Sequence, residues 1–199
     1  LEECSIQVNQ DKETISVSSL SGPWPDNPAL PCDPPLNAYV HGLAAIAGGR
    51  VLTRGNWPDW LGQSTFIRSA LEQFGLQIHS TQAGLGSEKK GQPAKLVDVD
   101  LSEQPELAPL VLCLGMASGA QMSLKLELDE DPPFAVDLLD SLHMDYELAG
   151  GELRLQGGAK AAQGSGPITI QVPSPWWGLG LSLLCLAGPK LVLQNPGEL

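Results

Sequence analysis

QPELAPLVLCLGMASG, residues 104–119, decides how the rest of the chain is read. A helix over 105–118 carries Leu107, Leu110, Val111, Leu112, Cys113, Leu114 and Met116 around its whole circumference. With no polar face, it must be covered on nearly all sides. It is shorter than the roughly 20 apolar residues that a membrane span needs. It reads as a core helix packed against a sheet.

Working outward, KLVDVDL (95–101) alternates as a half-buried strand, and QMSLKLELD (121–129) places Met122, Leu124, Leu126 and Leu128 on one face. PFAVDLLDSL (133–142) is an amphipathic helix, followed by strands MDYEL and GELRLQG around Gly150 and Gly151. The same order precedes it. Pro34 and Pro35 open a helix over 36–49 closed by Gly48 and Gly49, and RVLTR (50–54) is a strand. STFIRSALEQFG (64–75) is a helix with Ser64 as N-cap and a stripe of Phe66, Ile67, Ala70, Leu71 and Phe74. LQIHS (76–80) is a strand, and 81–94 is expected to be a loop without a hydrophobic anchor. SIQVN (5–9) and TISVSS (14–19) read as strands, and the prolines of 21–35 exclude a regular element before Pro34. After residue 166 come strand PITIQV (167–172), the apolar helix WWGLGLSLLCLAG (176–188) and strand KLVLQ (190–194).

The expectation is therefore one domain, 1–199, with an internal repeat of roughly 65–75 residues run twice and then cut short. Its units cover about 14–94, 95–160 and 167–199, the first two ordered strand–helix–strand–helix–strand–strand and the third stopping after strand–helix–strand. Helices 105–118 and 176–187 are the inner, shared ones. Helices 64–74 and 133–142 are the outer ones.

Composition narrows the function. The chain has 199 residues, 42% hydrophobic and 17% charged, which describes a globular protein. A net charge of −12 disfavours nucleic acid, anionic membrane surfaces and phosphorylated metabolites unless a local basic cleft exists. Cys4, Cys32, Cys113 and Cys185 form no CxxC pair, so neither a disulfide scaffold nor a zinc site is expected. No signal peptide is visible, and a cytoplasmic location is the expectation. The start at LEEC, without an initiator Met, is consistent with a trimmed or processed fragment.

The order of elements, Gly48–Gly49 before RVLT, the end of the second helix at Phe74–Gly75, and VDLSEQPELAP before an apolar helix together resemble the enolpyruvyl transferase family. The likeness is to the C-terminal domain of EPSP synthase (3-phosphoshikimate 1-carboxyvinyltransferase), and it runs over essentially all 199 residues. The resemblance implies an α/β fold of three repeats with buried parallel helices. It also implies a substrate cleft shared with a second, N-terminal domain, where Arg and Lys hold shikimate 3-phosphate and phosphoenolpyruvate. The family's proton-transferring carboxylate falls on Glu106. The helix-start motif falls on CDPPLNA, keeping Asp33 and replacing two serines by Pro35 and Leu36. The family's Arg/Lys/Glu/Arg segment falls on Lys125, Glu127, Leu128 and Asp131. Its Asp-His-Arg falls on Ser174, Pro175 and Trp176. Trp and Asp cannot supply the forked positive charge of Arg.

Each candidate also has a plainer reading. Glu106 is a first-turn carboxylate suited to a helix N-terminus. Asp129–Asp131 form a solvated turn without EF-hand spacing. His41, His79 and His143 are single residues in structural or surface roles. Ser118 in GMASGA is not a nucleophile elbow, and no glycine-rich turn has the G-x-x-x-x-G-K signature of a nucleotide site. With no EF-hand spacing and no His pair at ligand spacing, neither metal nor cofactor is expected. Of the five tryptophans, Trp57, Trp60 and Trp177 are candidate partner contacts or, equally, plugs of a cleft without a ligand, and the resemblance implies that Trp176 stands at the substrate-binding position with Asp33 and Lys125.

Three readings of function stay open. One is a degenerate, non-catalytic domain packing against a partner domain or protein. The second is half of an enolpyruvyl transferase needing its other domain. The third is a module binding a small uncharged or cationic ligand among the tryptophans.

Overall fold

The computed structural model describes residues 8–10, 15–17, 32–58, 61–126, 132–156 and 167–194. It divides into two compact units, Leu1–Pro31 and Cys32–Leu199. In the first, β1 (Val8–Gln10) and β2 (Ile15–Val17) pair antiparallel, Asn9 opposite Ser16.

The second unit runs α1 (Pro34–Ala47), β3 (Arg50–Thr53), α2 (Gly62–Glu72), β4 (Leu76–Thr81), β5 (Gly84–Lys89), β6 (Leu96–Asp100), α3 (Ala108–Ser118), β7 (Gln121–Lys125), α4 (Pro132–Ser141), β8 (Tyr146–Ala149), β9 (Glu152–Leu155), β10 (Ile168–Gln171), α5 (Pro175–Leu186) and β11 (Leu191–Gln194). A short 3-10 turn, Pro105–Leu107, leads into α3. The first sheet of this unit is ordered β3-β5-β4 and is antiparallel throughout. The second is ordered β6-β7-β9-β8, with β6 and β7 parallel across α3 and the rest antiparallel. A third, β10-β11, is parallel across α5.

Helices α1, α3 and α5 form the centre. A Cβ on Gly42 of α1 would lie 3.1 Å from Leu110 of α3 and 3.2 Å from Leu183 of α5. Near the start of α1, Tyr39 reaches Glu106 before α3 and stacks on Trp176 in the first turn of α5. At the other end, Ala45, Ala117 and Leu186 line one cavity of about 280 Å³. Starts meet starts and ends meet ends, so the three helices are parallel. The apolar reading of 105–118 holds: Leu110 through Met116 are all buried. Among the described residues, no helix is long and apolar enough to cross a membrane.

Three local expectations are corrected. Residues 84–89 are not loop but the central strand of the first sheet, with Leu85 fully buried. The glycines that hid this strand stand where neighbours press closest. At Gly84 (φ +140°) a Cβ would meet the Thr53 carbonyl oxygen at 1.9 Å, and at Gly86 it would meet the His79 ring at 2.7 Å. Ser64 is not the N-cap of α2. The helix begins at Gly62 after Leu61, without a side-chain cap, and Ser64 is buried in the first turn with no partner for its hydroxyl among the described residues. Strand β7 ends at Lys125, while 127–131, including the acidic turn, lie outside the described residues.

Helices α3 and α5 approach closely because α5 has Gly180 at the crossing. A Cβ there would sit 2.7 Å from the Pro109 carbonyl oxygen and 3.2 Å from Cys113 Sγ. Backbone cannot yield as a flexible side chain can, so Gly180→Ala should destabilise the fold by about 1–3 kcal/mol through overpacking. Chemical denaturation monitored by circular dichroism measures it.

Candidate functional site

The starts of the three inner helices carry most of the residues singled out from the sequence. Asp33 is the N-cap of α1, its Oδ1 accepting from the Leu36 N–H at 3.1 Å. Ser174 is the N-cap of α5, its hydroxyl oxygen accepting from the Trp177 N–H at 3.5 Å. Glu106 lies in the 3-10 turn before α3, where Gln63 Nε2 donates to its Oε1 at 2.9 Å. At α1 and α5 the positive helix end is thus met by an acceptor of the chain itself, whereas α3 begins without a side-chain cap.

Tyr39 joins these starts. Its hydroxyl donates to the Glu106 carbonyl oxygen at 2.8 Å, and its ring stacks on Trp176 with centroids 5.5 Å apart. Burial pushes the Tyr39 phenol well above its ordinary range, so it stays a neutral donor. Trp176 remains half-buried. Nothing in the sequence pattern singled out Tyr39 or Gln63: one is a single aromatic on an apolar helix, the other an ordinary polar residue at a helix start.

Beside Gln63 opens a cleft of about 570 Å³, lined by Gly62, Phe66, Asp100, Glu103, Gln104 and Lys125 among others. Lys125 Nζ donates to Asp100 Oδ2 at 2.8 Å. That ammonium, together with two bonds from Ser102, holds the Asp100 carboxyl down at about 2. The cleft therefore carries Asp100 and Glu103 against the Lys125 charge.

The aromatic partner surface read from the sequence is corrected. Trp57 is only 2% exposed; its Nε1 donates to Asn37 Oδ1 at 3.3 Å and its ring meets His41 edge-on. Trp177 is 1% exposed and packs edge-on against Phe134 of α4, centroids 4.6 Å apart. An indole buries a large apolar area, and both are used as core. Trp60, like Glu127, Leu128 and Asp131, lies outside the described residues. Cys32, Cys113 and Cys185 are free thiols, and burial pushes the Cys113 thiol up. Among the described residues no three His, Cys, Asp or Glu side chains are placed to hold a metal ion.

With this geometry in place, the class of fold is defined: it is that of the enolpyruvyl transferases. The chain is similar to the enolpyruvyl transferase NikO from Streptomyces tendae, with a TM-score of 0.63 and 13% identity over 98% of this chain and 47% of that one. It is also similar to two structures of EPSP synthase from Acinetobacter baumannii. Their TM-scores are 0.59 and 0.58 at 14% and 15% identity, over 86% of this chain and 40% and 41% of theirs. The chain spans less than half the length of each. No family profile and no curated protein matches it.

Lys125→Met should return the Asp100 carboxyl from about 2 toward the ordinary carboxylate range, as read by carboxyl NMR titration. Tyr39→Phe keeps the stacked ring but removes the bond to Glu106. It should cost about 0.5–1.5 kcal/mol of stability, measured by urea denaturation.

Proposed function

We propose that this chain is an enolpyruvyl transferase-type domain that does not bind the family's anionic substrates by itself, and that it packs against a partner domain or protein through the starts of its inner helices. The observation that carries this reading is the Tyr39–Trp176 stack. By the resemblance, Trp176 stands where the family has a substrate-binding Arg, and an indole offers no charge to a phosphate or carboxylate. Two further features support it. The helix-start N–H groups that would otherwise attract an anion are met by Asp33 and Ser174, and the ammonium in the adjoining cleft is paired with Asp100.

A second reading, half of a working enolpyruvyl transferase, is favoured by one observation. A carboxylate is retained at Glu106 and is oriented by Gln63 at 2.9 Å. In that reading Glu106 transfers the proton while the other domain supplies the positive charge.

Isothermal titration of phosphoenolpyruvate and of shikimate 3-phosphate into the protein separates the two, with Glu106→Gln as comparison. The expected result is no saturable heat from either ligand. Micromolar saturable binding to the native chain, weakened in Glu106→Gln, overturns the first reading in favour of the second.

A further inference from the structure

His41 sits in the middle of α1, fully buried, in a cluster drawn from three elements and a connecting segment. Its Nε2 lies 2.9 Å from Asn37 Oδ1 and 3.2 Å from Thr53 Oγ1, and its Nδ1 lies 2.7 Å from Ser87 Oγ. Thr53 also donates to Asn37 Oδ1 at 2.9 Å, as does Trp57 Nε1 at 3.3 Å. An amide oxygen can only accept. The arrangement therefore assigns the ring proton to Nε2, leaving Nδ1 to accept from the Ser87 hydroxyl. In this way α1 is tied to β3 through Thr53, to β5 through Ser87, and to the 54–58 segment through Trp57.

The neutral ring is the only form that satisfies all these atoms. A second proton on Nδ1 would have to be donated to Ser87 Oγ, and the Ser87 hydroxyl would then lose its acceptor. Among the described residues, that oxygen bonds to His41 alone. Nor would any carboxylate receive the charge. On β3 and β5, Arg50 and Glu88 pair with each other at 3.0 Å, and Lys90 adds to Glu88 at 3.5 Å. Lys89 donates to the Ala45 carbonyl oxygen at the end of α1. His79 of β4 is exposed beside Gly86, and Arg68 of α2 lies over the Trp57 ring at 6.0 Å. The described parts of α3 and α5 carry no charged side chain.

We infer that the Asn37–His41–Thr53–Ser87–Trp57 cluster is an acid-operated latch, in which protonation of His41 detaches the first sheet and the Trp57 segment from α1 while the second sheet stays folded. The asymmetry comes from the core. Among the described residues, the buried polar side chains are His41, Ser64 and Ser87, none of them on the second sheet. The consequence reaches the candidate site, because the Trp57 segment leads into the first turn of α2, whose Gln63 holds Glu106. Opening the latch loosens that grip.

Burial lowers the His41 pKa to about 4 from its ordinary value of 6.5. The folded state thus binds the proton more weakly than the opened state. The stabilisation from neutral His41 is complete above about 6.5 and is lost as pH falls from about 6.5 to about 4. In that window the opening constant should rise about tenfold per pH unit.

Amide hydrogen exchange across this window, corrected for intrinsic rates, tests the latch. Amides of Arg50–Thr53, Leu76–Thr81 and Gly84–Lys89 should lose protection as pH falls, while those of Gln121–Lys125 and Glu152–Leu155 keep theirs. In His41→Gln the pH dependence of the first sheet should vanish. Loss of both sheets together, or a pH dependence that survives in His41→Gln, overturns the proposal. The His41 ring resonance of the native protein supplies a readout that needs no variant. It should titrate near 4 together with the first-sheet opening, and titration at its ordinary value in the closed protein overturns the latch equally.

Discussion

Everything in the second unit depends on three parallel helices with almost no polar surface being held together and covered. Burial of their side chains drives association, at about 25 cal/mol for each Å² of apolar surface removed from water. The helices can come that close because glycine stands at the contacts. Gly42 of α1 admits Leu110 and Leu183, and Gly180 of α5 admits the backbone of Pro109. The sheets then work as covers. Met122 of β7 lies over Gly115 of α3, where a Cβ would fall 1.7 Å from the sulfur. Phe134 of α4 closes over Trp177.

Parallel packing has an electrostatic consequence. It gathers the positive ends of three helices on one side and the negative ends on the other. On the positive side the chain supplies its own acceptors at two of the three ends, Asp33 for α1 and Ser174 for α5. On the negative side, Lys89 donates to the last turn of α1. Helix ends that gather anions in other settings are here largely answered from within. Trp176 closes the same surface by stacking, not by charge.

A second polar system holds the first sheet. His41, Asn37, Thr53, Ser87 and Trp57 satisfy one another inside a largely apolar core. Such a network suits the core only when every member has a partner. This explains why Trp57, in a proline-bearing segment that reads as exposed, is buried: its indole N–H is the third donor to Asn37 Oδ1. The same network explains β5. A strand reading GLGSEK has no apolar alternation because one of its inward residues is Ser87, chosen for His41, and its glycines make room for Thr53 and His79.

The sequence alone determined the α/β class, the order of most elements and the apolar inner helices. These follow from side-chain periodicity, and periodicity is local. The acidic balance of the chain, with a net charge of −12, is legible in the same way, because charge type is a property of the residue itself. Tertiary structure decided what lies at contact distance. It made β5 a central strand, gave Ser64 an interior place, turned Trp57 and Trp177 into core, and brought Tyr39 between Glu106 and Trp176. Each of these rests on an approach between segments distant along the chain, such as the 67 residues that separate Tyr39 from Glu106. Such approaches arise only once three helices have packed side by side.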